Sequence, residues 1–278
     1  MAQCKRMAHQ PQILNEILTS LRNLQAEGKK SLIVFDLDST LFDVSPRIER
    51  VLLDFASEPS HQSRFPEHVP IIKTVKTHRR DWGIRGTLKR AGLDGHHPEL
   101  QECVRQFWVT HFFSNEYLHF DIPYDGSVEF VKKVHGFGAE IIYLTGRDVE
   151  RMGSGSIEVL KKWEFPLDQQ AQLVLKPHRS LDDGLFKRDW FLDLPLASYE
   201  KIWLFENEPV NVNLIRQHLP QVEMVFMDST HSGKEQPPED IPTILHFLSE
   251  GNFEDSKSLP QSIPSTKKPK SSHGNQED

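Results

Sequence analysis

Two aspartates separated by one position, Asp36 and Asp38, close the mostly apolar run S-L-I-V-F at residues 31–35. Carboxylates crowded at the end of a buried strand repel one another and lose hydration, so something must offset them. A metal ion and a catalytic task are the two candidates. Three more apolar runs end in the same way. AEIIYL is followed by Thr145, Gly146 and Arg147, AQLVL by Lys176, and KIWLF by Glu206, Asn207 and Glu208. In open parallel sheets reactive groups collect at the carboxyl ends of the strands. Packing alone gives no reason for an acid pair, a hydroxyl, a base and an acid to recur at those positions.

The elements that must hold these residues follow from periodicity. Ile13, Ile17, Leu18, Leu21 and Leu24 recur at helical spacing and stop at Gly28. Strands are expected at 32–36, 139–144, 171–175, 201–205 and 222–226, with helices at 126–135, 155–163, 184–192, 210–218 and 241–249 between and after them. Short apolar runs alternating with helices indicate an α/β fold, a parallel sheet covered on both faces. Residues 45–123 break the alternation and read as mainly helical, so they form an insertion between the first strand and the rest. The expected division is a flexible start at 1–11, a core of 12–44 and 124–250, the insertion 45–123, and a disordered tail at 251–278 rich in Ser, Pro and Lys.

Bulk composition narrows the function classes. The 278 residues carry a net charge of −7, which disfavours stable binding to a nucleic-acid duplex or an anionic membrane. Two cysteines, Cys4 and Cys103, are too few for a disulfide framework or a zinc knuckle. The first twelve residues lack an apolar core, and no apolar run approaches the ~18 residues of a membrane span. A soluble, cytoplasmic protein is the expectation.

D-x-D-x-T after the first strand, T-G-R after a later one, a lysine, and an acidic cluster after the next resemble the haloacid dehalogenase (HAD) superfamily of aspartate-nucleophile phosphohydrolases. The resemblance covers roughly 31–44 and 124–230. It implies a three-layer, Rossmann-like parallel sheet with a mainly helical cap inserted between the first two motifs. It further implies Asp36 as the nucleophile, Asp38 as proton donor and acceptor, Thr145 as a donor to the phosphoryl group, and Mg2+ as cofactor. The second aspartate is what the dehalogenases of the superfamily lack, so a carbon–halogen substrate is disfavoured. The implied metal ligands are Asp36, the Asp38 carbonyl, Glu206 and Asn207; the implied substrate contacts are Thr40, Gly146, Arg147 and Lys176. Read from the residues alone, Thr145 also suits a helix N-cap and Arg147 a surface ion pair.

Two lysines compete for the catalytic position. Lys176 directly follows its strand, whereas Lys187 lies on the next helix, and "LVLKPHRSLDDGLFK" resembles the phosphatase half of polynucleotide kinase-phosphatases, where the later lysine serves. Lys187 is preferred, with Lys176 as substrate contact or replacement. Glu-Asn-Glu in place of an acid pair departs from the superfamily and leaves a catalytically weakened phosphate-binding or scaffold protein as an alternative. A polynucleotide-end phosphatase or a phosphotransferase is a further one.

Overall fold

The first strand, Ser31–Phe35, is apolar at four of its five positions and buried at all five. The structure, a computed structural model, describes residues 2–93 and 97–249, with side chains from Gln10 onward. In chain order it contains α1 (Ala2–Ala26), β1 (Ser31–Phe35), β2 (Phe42–Asp43), α2 (Ser45–Ser57), α3 (Pro59–Arg64), α4 (Val69–Ile72), α5 (Gly83–Arg90), α6 (Pro98–Phe112), β3 (Ile122–Pro123), α7 (Ser127–Gly136), β4 (Glu140–Asp148), α8 (Val149–Lys162), β5 (Ala171–Lys176), α9 (Asp183–Leu192), β6 (Lys201–Glu206), α10 (Pro209–His218), β7 (Val222–Met227) and β8 (Thr243–Ile244).

Six of the strands form one parallel sheet in the order β5-β4-β1-β6-β7-β8. Alternation along β1 divides its side chains between two cores. Ile33 and Phe35 pack with Leu14 and Leu21 of α1, Val131 of α7 and Leu160 of α8. Leu32 and Val34 pack on the other face with Phe191 of α9 and with Val212 and Ile215 of α10. The result is a three-layer α/β core. Between β2 and β3 the chain leaves to build a separate helical unit, α2 to α6, around Val51, Leu52, Phe55, Ile72, Leu100 and Val104. It departs and returns through an antiparallel ribbon in which Phe42 faces Pro123 and Asp43 faces Ile122.

The structure differs from the periodicity reading at both ends of the core. The chain is already helical from Ala2, ahead of the expected start at residue 12, and Gln10 ties this early turn to the far end of the core. Its carbonyl oxygen accepts from Leu245 N at 2.7 Å and its amide donates to the His246 carbonyl at 3.0 Å. No helix forms at 241–249. Thr243 and Ile244, both β-branched, pair with Phe226 and Met227 of β7, while Phe247 is driven into the aromatic cluster of Phe35, Phe130 and Phe205. The expected tail, and His96, lie outside the described residues.

Candidate active site

Register alone brings the first two acids together. Phe35 of β1 pairs with Phe205 of β6, so the next residues, Asp36 and Glu206, leave the sheet side by side; Asp36 N donates to Phe205 O at 3.0 Å. Lys187 comes from α9, whose inward stripe is Gly184, Lys187 and Phe191. Its Nζ donates to Asp36 Oδ1 and to Glu206 Oε2, each at 2.6 Å. All three side chains are buried. One ammonium between two carboxylates leaves a negative charge in excess. Burial pushes the Asp36 carboxyl up to about 7, with the charge of Glu206 adding to the effect and Lys187 opposing it. Burial disfavours the Lys187 ammonium, yet Asp36 and Glu206 together hold its titration above the ordinary lysine value.

Asp38 turns the other way, toward β4. Its Oδ1 accepts from Arg147 Nη2 at 2.5 Å, Arg147 Nε at 3.0 Å and Arg47 Nη2 at 2.7 Å. Against the burial that would raise it, these guanidiniums hold the Asp38 carboxyl well below the usual carboxylate range. The turn that carries it is held in an uncommon conformation. Ser39 has φ +64° and its carbonyl accepts from Ser229 Oγ at 2.5 Å.

No protein family's sequence profile matches the chain, and no curated protein matches it. Among solved structures it is similar to a HAD-superfamily hydrolase, subfamily IA, variant 1, from Geobacter sulfurreducens PCA (15% identity, 79% of this chain and 93% of that one, TM-score 0.43). It is also similar to a HAD-superfamily hydrolase from Ehrlichia chaffeensis (10% identity, 79% and 93%, TM-score 0.41). A third is a chain of a Pnkp1/Rnl/Hen1 RNA repair complex (14% identity, TM-score 0.39); the match covers 73% of this chain but only 43% of that one. At these identities and TM-scores the likenesses carry no argument about activity, substrate or partner. Strand order makes the core a three-layer, Rossmann-like α/β fold, with β1 between the strands that carry Thr145 and Glu206, and with Asp36, Asp38 and the Lys187 ammonium gathered at their carboxyl ends.

Within this core the remaining expected site residues fall into two groups. Thr145 is buried where the register of β4 shifts, and its Oγ1 accepts from Arg147 N at 3.2 Å, which leaves the hydroxyl proton free to donate. Four expected substrate contacts have other work. Thr40 is fully buried and donates to Asn207 Oδ1 at 3.1 Å. Arg147 is spent on Asp38 and Asp121. Lys176 stands away from Asp36, its Nζ donating to Asp183 Oδ1 at 2.6 Å and to Leu181 O at 2.8 Å. Gly146 lets that Asp183 carboxyl approach, since a Cβ there would lie 2.7 Å from Asp183 Cγ. Asn207, expected as a ligand, instead braces Thr40 and donates to Thr230 O at 2.6 Å. Of the two lysines, Lys187 is the one that reaches Asp36.

The donor set bears on the expected magnesium ion. Asp36 spends Oδ1 on Lys187 and keeps Oδ2 unengaged among the described residues, and the Asp38 carbonyl accepts no hydrogen bond there. Glu206 is fully engaged: Oε1 accepts from Asn207 N and Glu208 N at 3.1 and 3.0 Å, and Oε2 from Lys187. Among the described residues no three His, Cys, Asp or Glu side chains gather as a ligand group. Two hard oxygens beside an excess negative charge suit a cation that keeps most of its waters, as Mg2+ does. A groove of about 350 Å³ between α1 and the β6–β7 edge, lined by Ile13, Ile17, Trp203 and Met224, holds none of these carboxylates.

Sequence reasoning missed Arg47 and Asp121. Both belong to the insertion, expected as a mainly helical cap. The available signal was position: the roots of an insertion that leaves after β1 and rejoins before β4 must stand beside the ends of both strands.

Proposed function

We propose that the chain is a magnesium-dependent phosphomonoester hydrolase that works through an aspartyl-phosphate, on a small metabolite or nucleotide phosphate. The observation that carries this reading is the buried Lys187 ammonium shared between Asp36 and Glu206, with Asp38 two residues away. Asp36 Oδ2 attacks phosphorus, the P–O bond to the leaving oxygen breaks, and that oxygen departs with the electron pair. Lys187 offsets charge on the transferring phosphoryl group, and the Thr145 hydroxyl donates to one of its oxygens. Asp38 then takes a proton from the water that attacks the aspartyl-phosphate, and the same carboxyl returns it to a leaving oxygen in the next cycle. Its two arginine partners favour the first half of that task. Asp36 Oδ2 and the Asp38 carbonyl would hold Mg2+, with Glu206 lending charge behind Lys187. When bound, the ion neutralises phosphate oxygens and keeps Asp36 ionised. The net charge of −7 supports a small substrate over a duplex.

Release of phosphate from 4-nitrophenyl phosphate with and without Mg2+ tests the reading. Turnover that Asp36→Asn abolishes supports it; wild-type protein without turnover sinks it. Full engagement of Glu206 and Asn207 by protein groups favours a second reading, a phosphate-binding protein of weak activity. Tight phosphate binding without turnover would select that one.

No helix among the described residues is long and apolar enough to cross a membrane.

A further inference from the structure

Four charged side chains meet under the site. Arg47 Nε donates to Asp121 Oδ1 at 2.7 Å and Arg47 Nη2 to Asp121 Oδ2 at 3.0 Å. Arg147 Nη2 reaches the same Oδ2 at 2.7 Å, and both guanidiniums converge on Asp38 Oδ1. Arg47 is fixed further by donating to Phe112 O at 3.2 Å and by lying 4.1 Å from the centroid of the Phe112 ring. The side chains of Arg47, Asp121 and Arg147 are 0, 0 and 1% exposed, whereas that of Asp38 is 30% exposed.

Two arginines and two aspartates sum to zero charge, but burying them is commonly less favourable than filling the space with apolar side chains. Stability therefore gives no sufficient reason for the cluster. Neither arginine reaches substrate at that burial. The one member that meets solvent is Asp38, and three N–H groups grip one of its oxygens while Oδ2 makes no hydrogen bond among the described residues.

We propose that Arg47 and Asp121, at the two roots of the inserted unit, are positioning residues that aim Asp38 Oδ2 at the water releasing phosphate from Asp36. The inference rests on the reading of Asp36 as the phosphorylated residue. In that step water oxygen forms a bond to phosphorus, the bond from phosphorus to Asp36 Oδ2 breaks, and Asp36 leaves as a carboxylate. The water proton passes to Asp38, and inorganic phosphate is the product.

Steady-state kinetics on 4-nitrophenyl phosphate separates the two halves. Its leaving group departs without a proton, so kcat/KM reports attack by Asp36 and kcat reports release of phosphate from it once that step limits. Arg47→Lys keeps the charge and loses the planar fork; Asp121→Asn keeps the volume and loses the bridge charge. Expected is a fall of tenfold or more in kcat with kcat/KM changed less than threefold, and accumulation of acid-stable or hydroxylamine-sensitive phosphate on the protein, seen by intact mass. Equal losses in kcat and kcat/KM, or no change in either while Asp36→Asn is inactive, would overturn the inference and leave the hydrolase reading standing. Absence of wild-type turnover removes both. Circular dichroism identifies the variants that keep the fold, and collapse of both would assign the cluster to structure alone.

Discussion

Lys187 stands between two carboxylates with almost no access to water, so removing it strands both. Lys187→Met is expected to abolish turnover and to cost about 3–5 kcal/mol of stability, as breaking one side of a buried ion pair does. Adding Glu206→Gln should restore part of that loss, and urea denaturation of the single and double variants checks the order. Asp36 behaves in the opposite sense. Its folded-state value, about 7 against an ordinary 3.8, means that between those limits the native state binds the proton more tightly than the unfolded chain. The carboxyl therefore lowers stability as pH rises through that window, with the whole penalty present above it. Metal-free Asp36→Asn should melt above wild type at pH 8, the gap closing toward pH 4. A variant less stable than wild type at both values would contradict the assignment of the shift.

Helices and strands were legible where one periodicity ruled. The buried strand β1 and the strands β4 to β7 follow from short apolar runs, and Asp36, Asp38, Thr145 and Glu206 follow from where those runs end. What escaped was set by contacts distant in sequence. Residues 241–249 carry helix-compatible spacing, yet pairing with β7 and the fit of Phe247 among aromatic rings decide their conformation. The engagement of Thr40, Asn207 and Lys176 by protein partners likewise depends on side chains that no local pattern announces. Gly126 shows how tight that end of the fold is. It begins α7 at φ +77°, and a Cβ there would lie 2.7 Å from the Phe247 carbonyl carbon. Gly126→Ala combines backbone strain with a collision against main chain, and a loss of more than about 1 kcal/mol is expected. Thermal melts measure it, and an unchanged melting temperature would show that Phe247 yields at no cost.

At the scale of the whole molecule, the core and the inserted unit differ in what holds them. β1 has a parallel neighbour on each side and a helical layer on each face, whereas α3 and α4 are six and four residues long and contribute few side chains to their small core. Amide hydrogen exchange should be slowest in β1 and β6 and faster by orders of magnitude in α3 and α4. Mg2+ should raise the melting temperature of the wild-type protein and do so less in Asp36→Asn, because only a ligand bound to the native state shifts that equilibrium. The ribbon of Phe42–Asp43 against Ile122–Pro123 has a consequence for descent. Chain exit and chain return lie on neighbouring strands, roughly 5 Å apart. A gene could therefore lengthen, shorten or exchange what lies between them while the sheet kept its register, provided that Arg47 and Asp121 at the two roots were kept.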